Sequence, residues 1–140
     1  MNSPLHVAGL GCRRGCSMDA LLALLQAGLQ AHGLRLEQIA SLATSTHKRD
    51  EPGLLRLADH LGLPLALFSA EQLQPYQHRL SAASPRVLAI TGSAGIAEAC
   101  ALAQAHALSG SEATLLGPKR SSPVASLAIA SSSPLPAEPA

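Results

Sequence analysis

A glycine-rich turn near the start of the chain carries the residue types best suited to chemistry. The stretch GLGCRRGCS, residues 9–17, follows a short apolar run and places two arginines and two cysteines among three glycines. Arginine binds carboxylates and phosphates through paired hydrogen bonds, and cysteine thiolates attack electrophiles or bind metals. The turn could therefore hold a phosphate, a metal ion, another kind of anion or a disulfide.

Phosphate and metal sites both fit this turn poorly. The dinucleotide-binding pattern G-x-G-x-x-G needs a third glycine where Arg14 stands, and the Walker pattern G-x-x-x-x-G-K-S/T occurs nowhere in the sequence. Cys12 and Cys16 have no nearby Cys or His pair that would complete a tetrahedral metal site. The six histidines form no H-x-H or H-x3-H pair. We therefore expect no bound metal and no cofactor.

Two kinds of residue could take part in catalysis. The flanking arginines and the following helix start would lower the pKa of the Cys12 and Cys16 thiols and make them candidate nucleophiles. The alternative is that both cysteines are small packed residues in a tight turn. Glu98, in the first turn of an alanine-rich helical segment, could be a general acid or base, or it could simply favour the helix dipole. The serine-nucleophile pattern G-x-S-x-G is absent.

Basic residues concentrate in three predicted loops. Six of the ten Lys and Arg residues lie there, as the pairs Arg13 and Arg14, Lys48 and Arg49, and Lys119 and Arg120. A fourth segment, ITGSAGIAE at 90–98, opens a helix whose backbone N–H groups could cradle an oxyanion. Because ligands of open α/β sheets bind at the carboxyl ends of strands, these loops form the candidate site. The alternative is that they are merely polar surface.

The elements that must position these loops follow from the apolar pattern. Strands are predicted at 5–10, 39–44 and 64–68, and the runs 113–116 and 124–130 predict an antiparallel hairpin. Helices are predicted from Ser17 to Gly33, from Pro52 to Gly62, as a short segment opened by Ser69 and Gln72, and over 96–108. One face of the second helix is predicted to comprise Leu54, Leu55, Ala58 and Leu61. Residues 77–85 are predicted to be a polar loop, and 87–90 a strand or buried turn.

The alternation of strands and helices predicts a fold class. We expect a single-domain three-layer α/β/α sandwich with a mixed, mostly parallel sheet and a C-terminal hairpin. The domain is predicted to span 1–130, and the Ser-, Pro- and Ala-rich tail at 131–140 is expected to be disordered.

Composition argues against several functional classes. The 140-residue chain is 47% hydrophobic and 14% charged, so it can bury one core. It has a net charge of +1 and only two aromatic residues, Phe68 and Tyr76, so we expect no nucleic-acid partner. The apolar stretch 20–34 is too interrupted by polar residues to span a membrane, so no membrane partner is expected. The lack of a leader pattern and an odd number of cysteines predict a cytoplasmic protein.

Four blocks of the sequence, taken in order, point to a known family. They are VAGLGCRRGCSMDAL, LATSTHKRDEPGLLRLADHLGLPL, TGSAGIAEACAL and PKRSSPVASLAIA. Together they resemble the CobE family of cobalamin biosynthesis, which also forms the C-terminal domain of the CbiG proteins. The second block has the pattern T-x-x-x-K-x-x-E-x-G-L, matched by Thr44, Lys48 and Glu51. In the third, many relatives have Ser-Val where this chain has Gly95 and Ile96, so a candidate hydroxyl is missing.

This resemblance implies an α/β fold and a role in building the corrin ring. In the CbiG proteins the full chain is associated with opening a ring lactone and releasing a two-carbon aldehyde. We do not carry that activity over, because the additional N-terminal portion of those proteins is absent from this sequence. The implied partners are a precorrin or other corrinoid intermediate and, as a second possibility, other enzymes of the pathway. Precorrins are fringed with carboxylates, which suits the basic loops.

The predicted ligand-binding residues come from these loops and from the matched blocks. They are Gly9, Gly11, Cys12, Arg13, Arg14, Thr44, Lys48, Glu51, Thr91, Gly92, Ser93, Glu98 and Lys119. We expect the Gly-rich turn, the loop 44–51 and the helix start 91–98 to line one cleft, with Lys119 at its rim.

Three functions remain open on the sequence alone. The first is a protein that binds or carries a corrinoid intermediate without chemistry of its own. The second is an enzyme acting on the precorrin periphery, with Glu98, Lys48 or a cysteine as its reactive group. The third is an interaction module for a neighbouring pathway enzyme. The sequence offers no clear catalytic pair, which favours binding.

Overall fold

Six strands and four helices make up the described part of the chain. The computed structural model describes residues 5–48, 50–83, 96–111, 113–116, 120–122 and 124–132, with the backbone alone for 77–83. The strands are β1 (Leu5–Cys12), β2 (Ile39–Ser45), β3 (Leu65–Phe68), β4 (Thr114–Leu115), β5 (Arg120–Ser121) and β6 (Ala125–Ser132). The helices are α1 (Met18–Ala31), α2 (Pro52–Leu61), α3 (Ala70–Ala83) and α4 (Ile96–Ser109). Short 3-10 turns cover Leu36–Gln38 and Thr46–Lys48.

The strands form one mixed sheet in the order β3-β2-β1-β6-β4, with β5 also paired to β6. β1, β2 and β3 are mutually parallel, whereas β6 is antiparallel to β1, β4 and β5. Among the described strands, only β6 therefore runs against the others. The predicted α/β class, mixed sheet and late antiparallel pairing are confirmed.

The two faces of the sheet have different cores. On one face, α1 and α2 cover β1 and β2 with leucines, among them the fully buried Leu25 and Leu54, which join Leu10 of β1 in one core. On the other face, α4 presents mainly alanines to the sheet, and α3 packs beside it. Gly9 permits this close approach, because a Cβ atom there would collide with the Ala97 carbonyl oxygen of α4.

The predicted helix boundaries are confirmed at several positions. The Ser17 hydroxyl accepts a hydrogen bond from the Ala20 N–H at 3.1 Å and caps α1. Pro52 is the first residue of α2, which ends at Gly62. The Ser69 hydroxyl and the Gln72 side chain cap each other's backbone N–H groups at 3.2 and 2.8 Å. Within the described ranges, no helix combines the length and apolarity that crossing a membrane requires.

Two local predictions are wrong. Leu55 is 47% exposed, and Leu57 is fully buried instead, because Leu54 and Leu57 are the α2 leucines that pack into the core shared with α1. Residues 77–83 continue α3 instead of forming a polar loop. The buried Leu73 and a 2.9 Å hydrogen bond between Tyr76 and His106 hold α3 on α4, which offsets the bond lost at Pro75.

The remaining predicted segments lie at or beyond the limits of the described residues. The prediction for 87–90 falls outside them. β6 runs to Ser132, which pairs with Leu5, so two residues of the predicted tail belong to the sheet. Residues 133–140 are outside the described part.

Candidate functional site

The arginine pair lies on a tight turn directly after β1. The Cys16 N–H donates to the Arg13 carbonyl oxygen at 3.1 Å, which closes a four-residue turn. Gly15, third in that turn, has a φ of +82°, a conformation that a β-turn of this kind reserves for glycine. Arg13 and Arg14 are exposed, so the turn presents both guanidinium groups to solvent. Residues 13–16 are called the arginine turn below.

The β5–β6 connection buttresses this turn. The Arg13 N–H donates to the Val124 carbonyl oxygen at 2.8 Å. The Ser122 hydroxyl accepts from the Ala125 N–H at 3.1 Å and stabilises the connection itself. Gly11 lies against Ser126, whose hydroxyl oxygen would be 3.0 Å from a Cβ atom on Gly11. The first and fourth sequence blocks therefore meet, although Lys119 itself lies outside the described residues.

The loop after β2 contacts the arginine turn directly. The Gly15 N–H donates to Oε2 of Glu51 at 2.9 Å, across 36 residues of sequence. Gly53 lies so close to the same turn that a Cβ atom there would collide with the Cys16 carbonyl oxygen. Glu51 is 7% exposed, whereas Lys48 is half-buried. Two of the three segments predicted to share a cleft are therefore adjacent.

Thr44 ties the carboxyl ends of β1 and β2 together. The last register pair between these strands is Gly9 with Ala43. Beyond it, the Thr44 hydroxyl donates to the Leu10 carbonyl oxygen at 2.7 Å, and Thr44 is fully buried. Its hydroxyl therefore satisfies a backbone carbonyl oxygen of β1 that β2 no longer pairs with. Beyond this point the two strands separate into their loops.

The two cysteines on either side of Arg13, Arg14 and Gly15 have raised pKa values. Burial raises the pKa of the Cys12 thiol to about 11, the neighbouring Cys16 adds to the effect, and the charge of Lys48 opposes it. Burial also raises the pKa of the Cys16 thiol. The predicted lowering is wrong, because the adjacent arginines are exposed to solvent, whereas Cys12 is half-buried and Cys16 is buried, which disfavours the charged thiolate. Both thiols are protonated near neutral pH, which argues against a cysteine nucleophile.

Of the helix start predicted as the third segment, the structure describes only residues 96–98, which open α4. Ala97 of α4 stands over Gly9, and Ser109, at the other end of α4, bonds Ser132 beside the first residue of β1. α4 therefore runs antiparallel to β1, with its N-terminus toward the arginine turn. Glu98 is half-buried in its first turn. Thr91, Gly92 and Ser93 lie outside the described residues.

Comparison with known proteins identifies the family. Residues 6–130 match the family described as Cobalamin synthesis G C-terminus. The chain belongs to this family. It is 34% identical over 132 residues to Protein CobE of Sinorhizobium sp, a match that covers 94% of this chain and 83% of that protein. It is accordingly a protein of cobalamin biosynthesis.

Solved structures of the CobE and CbiG family share the fold. A crystal structure of CobE, a protein from the cobalamin biosynthetic pathway, is 43% identical with a TM-score of 0.79, over 91% of this chain and 90% of that one. The cobalamin biosynthesis protein chiG from Agrobacterium tumefaciens str. C58 is 33% identical with a TM-score of 0.66, over 90% and 97% of the two chains.

Longer members of the family contain this domain as a part. The cobalt-precorrin-5A hydrolase of Salmonella typhimurium is 38% identical over 72 residues, which is 51% of this chain and 20% of the hydrolase. A second hydrolase of that name, from Priestia megaterium, matches over 25% of its own length. The matched segments thus make up a quarter or less of either curated hydrolase.

A concave surface beside the turn was missed by sequence reasoning. An open pocket of about 400 Å³ lies between the starts of α1 and α2 and is lined by Ser17, Asp19, Glu51 and Arg56, among others. Asp19 and Arg56 lie near the starts of α1 and α2, the helices that follow β1 and β2. This position is the only feature of the sequence that could have pointed to them as site residues. The described residues contain no group of three or more His, Cys, Asp or Glu side chains that could hold a metal ion.

Gly9, among the predicted site residues that the structure describes, lies away from the arginine turn. It is buried in the middle of β1 beneath α4, where its lack of a side chain allows the helix to pack. Gly11, Cys12, Arg13 and Lys48, in contrast, cluster around the arginine turn. These are the residues that could meet a ligand at the carboxyl end of the sheet.

Proposed function

We propose that this protein binds a carboxylate-rich precorrin or other corrinoid intermediate at the carboxyl ends of β1 and β2, as a carrier or accessory factor of cobalamin biosynthesis. The observation that carries the proposal is the contact between Gly15 and Glu51, which joins the arginine turn to the loop of Lys48. Three cationic side chains from two loops thereby share one end of the sheet.

The chemistry of the ring matches this arrangement. A precorrin carries acetate and propionate groups around an apolar macrocycle, so it needs several separated cationic partners. Arg13 and Arg14 can each bind both oxygens of a carboxylate, whereas Lys48 contributes a compact charge. The α4 N-terminus at the same end adds a favourable partial charge for an anion.

A catalytic role is the second candidate, favoured by the similarity to the cobalt-precorrin-5A hydrolases. Glu98 and Lys48 are the candidate reactive groups, since the raised pKa of Cys12 and Cys16 leaves their thiols protonated. The hydrolase activity belongs to much longer chains, of which the segments matched here make up a quarter or less. Binding without turnover therefore explains the arrangement better.

One incubation separates the two functions. The purified protein is mixed with precorrin intermediates, and both the absorbance spectrum and the mass of the recovered ligand are measured. A spectral change with an unchanged mass supports binding, and a changed mass supports catalysis. Unchanged spectra and masses across the intermediates, together with no retention of ligand on gel filtration, would refute the proposed function and leave an interaction with pathway enzymes to be examined.

A matched pair of ligands tests the role of carboxylates. A corrin ring with free peripheral carboxylates should bind, and the same ring with those groups converted to amides should bind much more weakly. The affinity for the carboxylate ring should fall as salt rises, because exposed charges are screened.

A further inference from the structure

We propose that Glu51 is a positioning residue that locks the arginine turn in its binding shape, and that it does not contact the ligand. The inference rests on the proposed function for its effect on binding, but the lock itself is a property of the ligand-free protein. It assigns to Glu51 a role different from that of Arg13, Arg14 and Lys48.

The lock acts at Gly15, the glycine of the turn. Gly15 is the residue with the greatest backbone freedom there, and its N–H is held by Oε2 of Glu51 at 2.9 Å. The other bonds of the turn, to the carbonyl oxygens of Arg13 and Val124, fix its two ends. Without Glu51, Gly15 would lose its only hydrogen bond to a side chain among the described residues.

Glu51 is itself held rigidly. Its N–H donates to the Lys48 carbonyl oxygen at 3.0 Å, and its own carbonyl oxygen accepts from the N–H groups of Leu54 and Leu55, each at 3.1 Å. Its side chain makes no capping bond to α2, the helix that it precedes, and is used for the turn instead. Leu54 and Leu57 anchor α2 in the core, so the tether starts from a fixed base.

The charge of Glu51 also argues against direct ligand contact. A carboxylate facing a ligand that is itself fringed with carboxylates would repel it. Here Glu51 is 7% exposed, and its Oε2 accepts a hydrogen bond from the Gly15 N–H. Glu51 lines the pocket between α1 and α2, but its Oε2 is engaged by the Gly15 N–H, whereas Arg13 and Arg14 are exposed to solvent.

Three substitutions distinguish the lock from other roles. Glu51→Gln keeps an oxygen that can accept the Gly15 N–H, Glu51→Asp is one methylene too short to reach it, and Glu51→Ala removes the acceptor. Asp59→Ala, an exposed acidic position on α2, is the matched control. Circular dichroism establishes that each variant is folded, and Glu51→Asp keeps the test open if Glu51→Ala is not.

Hydrogen exchange of the ligand-free protein measures the lock directly. We expect the amide of Gly15 to exchange about tenfold faster in Glu51→Ala and Glu51→Asp, the size of one lost hydrogen bond to a charged group. Asp59→Ala should exchange like wild type, and Glu51→Gln, whose neutral oxygen accepts a weaker bond, should stay within about threefold of it. Unchanged protection of Gly15 in Glu51→Ala and Glu51→Asp would overturn the proposal.

Binding of the carboxylate-bearing corrin ring supplies the second readout. Glu51→Ala and Glu51→Asp should lose affinity, and Glu51→Gln should restore it. Equal losses in Glu51→Gln and Glu51→Ala would overturn the positioning role, because the negative charge itself would then be required. If wild type binds no corrinoid while exchange follows the expected pattern, the proposed function fails and the lock stands.

Discussion

The two faces of the sheet are packed by side chains of different size. The face under α1 and α2 is filled by large leucine side chains, which keep the helices away from the strands. The face under α4 is filled by alanines, and Gly9 brings helix and strand backbones almost into contact. The leucine face therefore has room for the loops that lead into α1 and α2, and the candidate site and its pocket lie at the edge of that face.

The largest expected effect is on the leucine face, where removing volume is costly. Leu25→Ala should lower the free energy of unfolding by about 2–5 kcal/mol, because Leu25 is fully buried and the cavity would not close. Denaturant unfolding measures the change. Leu55→Ala is the control, and its cost should be below about 1 kcal/mol since Leu55 is largely exposed. Similar losses in both variants would contradict the burial of Leu25 and the exposure of Leu55.

On the alanine face, adding volume is the costly change. Gly9→Ala should lower the free energy of unfolding by about 1–3 kcal/mol, because its methyl group would displace the first turn of α4. Gly11→Ala, two residues along the same strand, should cost less, since only the Ser126 hydroxyl lies near its new methyl group. Thermal or denaturant unfolding of the two variants measures their free energies of unfolding. A Gly11→Ala variant less stable than Gly9→Ala would contradict the close approach of α4 to β1.

A smaller effect is expected where β1 and β2 separate. Thr44→Val keeps the shape of the side chain but leaves the Leu10 carbonyl oxygen without its hydroxyl donor, at a cost of about 1 kcal/mol. Thr114→Val, at an exposed position, should be neutral. Corrinoid affinity should be unchanged in Thr44→Val. A large loss of affinity with little loss of stability would instead mean that the hydroxyl meets the ligand.

The smallest effect concerns pH at the opposite end of β1. His6 is 8% exposed, and burial lowers its pKa below 6.5. As pH falls below 6.5, His6 takes up a proton in the unfolded chain but stays neutral in the folded protein. The free energy of unfolding therefore decreases from pH 6.5 down to the lower pKa of His6 in the folded protein. The slope from one such group is at most about 1.4 kcal/mol per pH unit. Unfolding at several pH values should show a shallower dependence in His6→Leu than in His60→Ala, and equal slopes would refute this.

Local sequence signals predicted the elements well because their causes are local. Ser17, Pro52 and the Ser69–Gln72 pair act on backbone groups within three residues of themselves, so the sequence contains the whole interaction. The face of α2 was harder, since Leu55 and Leu57 both fit a helical spacing and only the neighbouring helix selects between them. The length of α3 likewise depends on its contacts with α4.

The candidate site was predictable in outline but not in its connections. The carboxyl ends of parallel strands bring Arg13, Arg14 and Lys48 to one edge, which follows from topology. The bond between Gly15 and Glu51 spans 36 residues and involves a backbone donor, so no residue pattern reveals it. The pKa values of Cys12 and Cys16 depend on burial, which outweighs the arginines beside them in sequence.

The most direct test of the account is the affinity of the Arg13→Ala/Arg14→Ala double variant for a corrin ring with free carboxylates, titrated at low and high salt. Each lost charge-assisted hydrogen bond should cost about 1.5–3 kcal/mol of binding free energy, and the variant should lose most of the salt dependence seen in wild type. Arg35→Ala, an exposed arginine at the other end of β2, should bind like wild type. Wild-type affinity and salt dependence in the folded double variant would contradict the claim that the arginine turn recognises the ligand.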